Sequence, residues 1–523
     1  MKISEGIGRR KFLSLCAATV LAEPLAACMP GTSSALPATN STNKTIPVPT
    51  NWSELAKSLQ GELILPDNPR YTTAHQLFDP RFDNIKPAAI AYCASPEDVQ
   101  TSLAFARHVK IPLVPRSGGH SYAGYSTSTG LVLDVKRMNE IKVDTAARTA
   151  TIGAGARLID VYATLARSGL ALPSGSCPTV GIAGLAQGGG IGFLGRKFGL
   201  TCDNMLAAQI VLADGRLLTC DAKHYPDLFW ALRGGGGGNF GVVTSFTFQV
   251  HQVPSTLSLF TLGWPWKLAP TVVDAWQSWA PQAPDELVSN CQLATTGESN
   301  EDPHVRLIGL YIGDKASLNT LLEQVTTRIG SAPTVNKVWS AGLLDAMLYE
   351  ADCKSLDECY LPDQHPGGKV ERLAYSAKSD FFNNRLSSAG IEAMLKTIEQ
   401  SQQAPTIGGG IALDAYGGAL NRVPADATAF VHRKALFCIQ YTANWNTGDP
   451  ASVVEANLSW LANSWQQMRP YASGEAYQNY IDPKLPDWQH AYYGSNLPRL
   501  QHIKALYDPT NFFHFAQSIP PAP

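Results

Sequence analysis

The chain has 523 residues, which is enough for two or more domains with a large hydrophobic core. Basic residues number 41 and acidic residues 43, so the net charge of -2 offers no electrostatic reason to expect nucleic-acid binding. Apolar residues make up 45% of the chain, as in ordinary globular proteins, and the 44 glycines cluster, which is typical of backbone that approaches a ligand closely.

The N-terminus has the pattern of an export signal. Arg9 and Arg10 form a twin-arginine motif, residues 13–25 are moderately apolar, and residues 25–28 resemble a bacterial lipobox that ends at Cys28. Residues 1–28 are therefore predicted to be a twin-arginine signal with a lipobox, and the Ser/Thr/Pro-rich residues 29–50 a flexible tether. We expect a periplasmic or cell-surface protein with a lipid anchor at Cys28; the alternative is an ordinary cleaved signal with a chance cysteine. The apolar run is too short for a membrane span.

The next part of the chain, residues 80–253, is predicted to be an α+β domain with glycine loops where strands meet helices. Helices are expected at 52–59, 95–108, 158–168 and 225–232. Strands are expected at 87–92, 112–115, 131–134, 149–152 and 242–250, and a hairpin with an Asp214-Gly215 turn at 205–219.

Residues 254–475 have a different pattern. Alternating runs at 257–263, 304–312 and 436–442 predict an antiparallel sheet, and helical periodicity at 269–281, 315–328 and 388–400 predicts helices that cover one face of it. A further helix is expected at 496–506 in the C-terminal segment, residues 476–520.

The cysteines point to one disulfide and to no metal site. Cys353 and Cys359 bracket a short polar turn, so a local disulfide is plausible in an exported protein. No CxxC pair exists, so a zinc cluster has no support. Cys93, Cys220 and Cys438 lie in apolar runs and are predicted to be core residues.

Two glycine patterns match the dinucleotide fingerprint G-x-G-x-x-G, starting at Gly190 and at Gly236. The first match follows a predicted loop, and the second follows a helix and precedes a strand, so neither has the strand-then-helix context of a Rossmann fold. For residues 234–238 a flexible surface loop is the alternative, although flanking aromatic residues favour an ordered loop. The usual signatures of P-loop kinases, zinc proteases and serine hydrolases are absent from the sequence.

Two other glycine loops carry soft nucleophiles. Residues 116–122 present His120 beside Gly118 and Gly119, and residues 174–181 present Cys177 in a Gly/Pro turn. Taken singly, His120 reads as a structural histidine and Cys177 as a buried thiol, and the glycines at 118–119 and 181–192 could cradle a pyrophosphate. Together they indicate another role, because an imidazole nitrogen and a thiolate can each add to the electron-poor benzenoid edge of a flavin.

Six separated motifs then show a resemblance. They are residues 116–122, 175–181, 188–200, 233–243, 478–480 and 507–513. In this order they are similar to those of berberine-bridge-enzyme-like oxidases, in the vanillyl-alcohol-oxidase superfamily. The resemblance implies a PCMH-type FAD-binding domain of two α+β lobes over residues 80–253, a substrate domain whose helix-covered antiparallel sheet roofs the isoalloxazine, and a C-terminal segment that returns to the FAD domain.

The resemblance also implies a bicovalent FAD, bonded through its 8α-methyl to His120 and through ring carbon 6 to Cys177. The other FAD-binding residues that it implies are Arg116, Ser117, Gly118, Gly119, Ser121, Gly175, Val180, Gly181, Gly184, Gly188, Gly190, Gly192, Asp203, Gly241, Val243 and Asn479. Val180 matches the position that controls oxygen access, and valine there is similar to the oxidases.

Tyr480 matches the family's catalytic tyrosine, with Gln440 and Tyr122 as further active-site residues. A free tyrosine has a pKa of ~10, so a base at this position needs a neighbour that lowers its pKa. Cys438 stands where some relatives have a lysine, and Ile191 replaces an aromatic residue, so what activates Tyr480 is open. The alternative for Tyr480 is a buried tyrosine that donates to backbone.

The expected function is oxidation of an alcohol or hemiacetal carbon, of a carbohydrate or glycoside, by hydride transfer to flavin N5. Molecular oxygen is the expected acceptor, giving hydrogen peroxide. One alternative is a dehydrogenase that uses a quinone or another acceptor. The other is a surface lipoprotein that binds a ligand on a degenerate flavin fold. The sequence leaves the oligomeric state open.

Overall fold

The computed structural model describes residues 48–295, 301–402 and 408–523. The export motif, Cys28 and nearly all of the predicted tether lie outside these residues. No helix in the described part of the chain is long and apolar enough to cross a membrane.

The first half of the molecule is built from two larger sheets, one two-stranded antiparallel sheet and short helices. Its strands are β1 (Glu62–Ile64), β2 (Ala89–Tyr92), β3 (Leu113–Arg116), β4 (Leu131–Asp134), β5 (Ile141–Asp144), β6 (Thr149–Gly153), β7 (Leu170–Ala171), β8 (Met205–Val211), β9 (Leu217–Asp221), β10 (Val242–Gln249) and β11 (His251–Gln252). Its helices are α1 (Trp52–Ser58), α2 (Tyr71–Ala74), α3 (Pro96–Val109), α4 (Leu158–Ala166), α5 (Ile182–Gly188), α6 (Gly195–Phe198) and α7 (Pro226–Ala231).

These strands form two lobes. The first lobe is a four-stranded sheet in the order β1-β2-β4-β3, in which β2, β4 and β3 are parallel. The second is an antiparallel five-stranded sheet in the order β5-β6-β10-β8-β9. The Asp214-Gly215 hairpin joins β8 to β9, as predicted. Helix α3 begins with Ser95 as N-cap and Pro96 in the first turn.

The second half contains one seven-stranded antiparallel sheet in the order β15-β12-β14-β13-β17-β18-β16. Its strands are β12 (Leu257–Trp264), β13 (Leu287–Ala294), β14 (His304–Tyr311), β15 (Val335–Ala341), β16 (Ala374–Phe382), β17 (Gly408–Ala415) and β18 (Phe437–Trp445). Its helices are α8 (Ala269–Trp279), α9 (Lys315–Ile329), α10 (Leu343–Glu350), α11 (Ser388–Gln402), α12 (Ala419–Arg422) and α13 (Ala451–Met468).

The two faces of this sheet differ in chemistry because side chains alternate along each strand. On β18, Phe437, Ile439 and Tyr441 are buried in the core shared with helices α8, α11 and α13. Gln440 and Thr442 point to the opposite face, where they line a cavity shared with the first half.

The C-terminal helices α14 (Trp488–Tyr493) and α15 (Leu497–Tyr507) pack against the first half. A fully buried ion pair joins Lys504 to Asp508 at 2.7 Å. The Lys504 ammonium also donates to the carbonyl oxygens of Asn239 and Phe513. Because a buried ammonium needs several acceptors, this network ties the end of the chain to the 234–241 glycine loop.

The α+β fold class is confirmed, and so are the predicted strands and the antiparallel second sheet. Cys353 and Cys359 form a disulfide, and Cys93, Cys220 and Cys438 are buried. One segment predicted as loop is helical: α5 covers residues 182–188 within the glycine-rich stretch. Other elements were not predicted from the sequence: in the first half β1, β5, β7, β11, α2 and α6, and in the rest of the chain β13, β15, β16, β17, α10, α12, α13 and α14.

Candidate active site

A cavity of about 1880 Å³ lies between the two halves of the molecule. The glycine loops of the first half form one wall, and the polar face of the seven-stranded sheet forms the other. The 478–480 turn and the segment that follows α10 close its ends.

His120 projects into the cavity from the loop that follows β3. The loop is anchored by a buried ion pair between Arg116 and Asp134, 2.7 Å long, and Gly119 has a φ of +71°, which favours glycine. The imidazole stacks on Phe78 at 4.1 Å between ring centroids, and its Nε2 lies 2.8 Å from Thr179 Oγ1. Burial lowers the pKa of His120 to about 3, so the ring is neutral and keeps a nucleophilic nitrogen.

Cys177 faces the same cavity. Cys177 is exposed, whereas the other free cysteines in the described residues are buried. The thiol is nevertheless enclosed by protein on its remaining sides. This burial, with a further contribution from Glu350, raises the pKa of Cys177 to about 11.

Contact between the two loops explains their glycines. A Cβ on Gly118 would lie 2.2 Å from the backbone nitrogen of Gly181, and a Cβ on Gly181 would lie 2.1 Å from Ser117 Oγ. Only glycine permits this approach, which places His120 and Cys177 on one wall. The glycines at 181, 184 and 236–238 also expose backbone to the cavity, as a pyrophosphate requires. The cavity therefore fits a dinucleotide with a reactive ring near His120 and Cys177.

Three polar side chains meet in the cavity: Tyr122 from the His120 loop, Gln440 from β18 and Tyr480 from the 478–480 turn. Gln440 Nε2 donates to the hydroxyl of Tyr122 at 3.1 Å, and the Tyr122 ring stacks on Tyr480 at 5.6 Å between centroids, with 9° between the planes. Tyr480 ends a 3-10 turn, Gln478–Tyr480, and its hydroxyl makes no hydrogen bond to any described residue. The structure thus gives no support to a Tyr480 that donates to backbone.

The surroundings of Tyr480 do not activate it. Burial raises its pKa well above the ordinary value, and the nearby Asp414, Tyr122 and Cys438 raise it further. No cation is among the largest causes of this shift, in line with cysteine at position 438. Tyr480 therefore keeps its proton at neutral pH.

The sequence reading missed a carboxyl beside it. Asp414 lies on β17, where Asn290 of the neighbouring strand donates a hydrogen bond to it. Burial raises the pKa of Asp414 to about 6. The only sequence signal for this strand was the alternation of apolar and polar residues in 408–415. Three consecutive glycines at its start obscure that alternation.

Comparison with known proteins decides what this cavity holds. Residues 87–221 match the family described as FAD binding domain, and residues 476–520 match the family described as berberine and berberine like. The FAD-linked oxidoreductase YvdP of Bacillus subtilis, which is described as uncharacterized, is 36% identical over 477 residues, covering 89% of this chain and 99% of that protein. The chain belongs to the berberine bridge enzyme-like family. It is an FAD-linked oxidoreductase.

Two solved structures of such proteins have the same fold. Physcomitrella patens BBE-like 1 superimposes with a TM-score of 0.82 at 33% identity, covering 91% of this chain and 100% of that one. Chitooligosaccharide oxidase superimposes with a TM-score of 0.80 at 26% identity, covering 90% of this chain and 99% of that one.

Most of the residues predicted to contact FAD in this family member line the cavity. They are Arg116, Ser117, Gly118, Gly119, His120, Ser121, Gly175, Cys177, Val180, Gly181, Gly184, Gly241, Val243 and Asn479. The predicted catalytic residues Tyr122, Gln440 and Tyr480 line it too.

Four predicted FAD contacts are not among the residues that line the cavity, and each makes a packing contact. A Cβ on Gly188 would meet the Asn479 side chain, one on Gly190 the Thr201 hydroxyl, and one on Gly192 the carbonyl of Ser174. Asp203 pairs with Arg433 at 2.6 Å and accepts from the backbone of Leu200. These residues shape the α5–β8 region and do not reach the cavity.

Proposed function

We propose that this enzyme is an oxidase of an alcohol or hemiacetal carbon in a carbohydrate or glycoside, with bicovalently bound FAD and oxygen as acceptor. The observation that carries the proposal is one cavity with His120 and Cys177 on one wall and Asp414 on the other. The first two would hold the flavin ring, and the third would take the substrate's proton.

His120 and Cys177 suit attachment. His120 is neutral, and its ring plane is held by Phe78 and Thr179. Cys177 lines the same cavity two residues before Thr179, and its raised pKa means that the thiol must lose its proton for attachment. When bound, FAD supplies a hydride acceptor at its N5 atom.

Asp414 is the group that we assign as general base. A base works best when its pKa lies near the operating pH, and a pKa of about 6 meets this condition while that of Tyr480 does not. Its hydrogen bond from Asn290 orients the carboxylate. We therefore infer that Asp414 accepts the hydroxyl proton as hydride leaves the carbon.

The tyrosines are assigned to substrate orientation. Because Gln440 donates to the Tyr122 oxygen, the Tyr122 O–H is free to donate to a substrate oxygen. Tyr480, stacked parallel to it, presents a second protonated hydroxyl. Two donors opposite one carboxylate can hold a hydroxyl group in a defined direction.

A carbohydrate fits the polar wall. Beyond Gln440, the cavity is lined by Gln292, Thr442 and Asn444, with Trp445 at its edge. Amides and hydroxyls match sugar hydroxyls, and chitooligosaccharide oxidase, by its name, acts on a carbohydrate. Val180 lines the cavity, in keeping with an oxidase.

Acid precipitation of the purified protein tests the flavin attachment. We expect a yellow pellet and two flavin-carrying peptides, one with His120 and one with Cys177; a colourless pellet contradicts the proposal. Anaerobic bleaching by a panel of sugars, followed by comparison of oxygen with a quinone as acceptor, tests the reaction. Rapid reoxidation only by the quinone would favour the dehydrogenase.

We also propose export by the twin-arginine route and a lipid anchor at Cys28. The motif at Arg9 and Arg10 and the residues before Cys28 support it. Fractionation of cells that produce the protein, with a Cys28→Ser variant, tests it. The variant should leave the membrane fraction; equal distribution of both proteins contradicts the anchor.

A further inference from the structure

Glu350, at the C-terminal end of α10, is another carboxyl that lines the cavity besides Asp414. The helix is held firmly: Leu343, Ala346 and Met347 lie in the core. The Cys353–Cys359 disulfide follows closely. The backbone that carries Glu350 therefore has little freedom to turn the carboxyl away from the cavity.

The charges that line the described part of the cavity are unbalanced at this point. Its three Lys and Arg side chains all have acidic partners: Arg116 with Asp134, Lys369 with Glu358, and Arg372 with Asp83. Glu350 has no hydrogen bond or ion pair within the described residues, and Asp414 has only the amide of Asn290 as a partner. Glu350 and Asp414 thus line the cavity without a lysine or arginine partner among the described residues.

We propose that Glu350, together with Asp414, makes the site selective for a substrate that carries an ammonium group near the oxidised carbon, such as an amino sugar. This inference rests on the proposed function, because it concerns the substrate of the same site. It assigns Glu350 to substrate selection and leaves proton transfer to Asp414.

The electrostatics of the two carboxyls support this assignment. Burial, and then the charge of Asp414, raise the pKa of Glu350 to about 8. Its other close titratable neighbours are Cys177 and Tyr162, which are acids and not cations. A bound ammonium would stabilise both carboxylates, whereas a neutral hydroxyl at the same place would leave at least one of them costly to ionise.

A set of three disaccharides provides the test. The β-linked dimers of glucosamine, N-acetylglucosamine and glucose differ mainly at carbon 2, which carries an ammonium, an acetamide or a hydroxyl. Isothermal titration calorimetry at neutral pH measures their binding to the intact flavoprotein. We expect the glucosamine dimer to bind about tenfold more tightly than the other two, and less tightly as salt is raised.

Two variants assign the preference to a residue. Glu350→Gln keeps the shape but cannot ionise when an ammonium binds, so it should lower the preference for the glucosamine dimer about tenfold. Asp345→Asn removes an exposed carboxylate from the same helix and should leave the preference unchanged. Equal binding of the three dimers, binding of none, or a preference that survives in Glu350→Gln overturns the inference.

Failure of the proposed function would look different. If the glucosamine dimer binds preferentially but bleaches no flavin under anaerobic conditions, the oxidase proposal fails and the role of Glu350 in selection stands. If the acetylated or the glucose dimer bleaches the flavin fastest and binds most tightly, the oxidase proposal stands and the inference about Glu350 fails.

Discussion

The two walls of the cavity are built on different principles. The wall from the first half is made of glycine loops whose nucleophiles lie within seven residues of a strand or a helix, and backbone contacts place them. The wall from the second half is a sheet face on which Asn290, Asp414 and Gln440 come from strands far apart in sequence. Attachment of a cofactor is thus encoded locally, whereas substrate chemistry depends on strand register.

Of all the substitutions, replacement of Asp414 on the sheet wall of the cavity should reduce activity most. Asp414→Asn keeps the size of the side chain and removes the base, so kcat should fall by about 10²–10⁴-fold. Steady-state peroxide formation measures it, and the flavin spectrum should stay that of the native enzyme. A variant within threefold of the native rate contradicts the role of Asp414 as base.

Changes in the first wall should alter attachment more than chemistry. In His120→Ala the flavin should remain bonded only to the Cys177 peptide, and in Cys177→Ser only to the His120 peptide. Mass analysis of the flavin-carrying peptides identifies the remaining bond. The double variant is the control, because it should lose all its flavin on acid precipitation. Each single variant should retain more activity than Asp414→Asn; the reverse order would contradict the division of labour between the walls.

The pH profile should report the titration of Asp414. Its pKa is raised to about 6, and the ionised form is the active one, so activity is present above this pH and is lost as the pH falls through it. We expect kcat/KM to fall about tenfold per pH unit below the pKa. Measurements between pH 4.5 and 7.5 at constant ionic strength check it, and a flat profile would exclude Asp414 as the titrating base.

The smallest effect is expected at Gln440. Gln440→Leu removes the donor to Tyr122, and a hydrogen bond is worth about 1 kcal/mol, so kcat/KM should fall about fivefold. Tyr122→Phe should cost at least as much, because it removes the hydroxyl itself. If Gln440→Leu is silent while Tyr122→Phe is not, Tyr122 is oriented by its ring contacts alone.

The sequence predicted most of the first half, but not its edge strands β1 and β5, because the signals of the predicted elements are local. Strand ends, the Ser95 cap and the Asp214-Gly215 turn each lie within a few residues of the element that they define. The second half was harder. Strand β17 begins with three glycines, and β16 carries Lys378 and Asp380, whose partners Asp482 and Arg469 lie about 90 to 100 residues away. Nothing near β16 in sequence shows that its charges are neutralised.

The same limit applied to individual site residues. Gly188, Gly190 and Gly192 stand in a family motif, yet in the fold a Cβ at each of them would meet a neighbouring segment. Asp414 and Glu350 belong to no motif that the sequence reading recognised, yet both line the cavity. A motif indicates that a residue is important. Only the neighbours of that residue in the folded protein show what it does.

By itself the sequence determined the fold class, the family, the cofactor and the two candidate attachment residues. It could do so because each nucleophile lies in the same short loop as the glycines that mark it, and residues of one short loop stay close together in the fold. The tertiary structure decided the rest of the site. It left Tyr480 protonated by burying it without a cation, and it raised the pKa of Asp414 towards neutrality. It also placed Glu350 and Asp414 in one cavity whose lysine and arginine side chains, among the described residues, already have acidic partners. Burial and pairing are properties of the folded surroundings, and no local pattern encodes them.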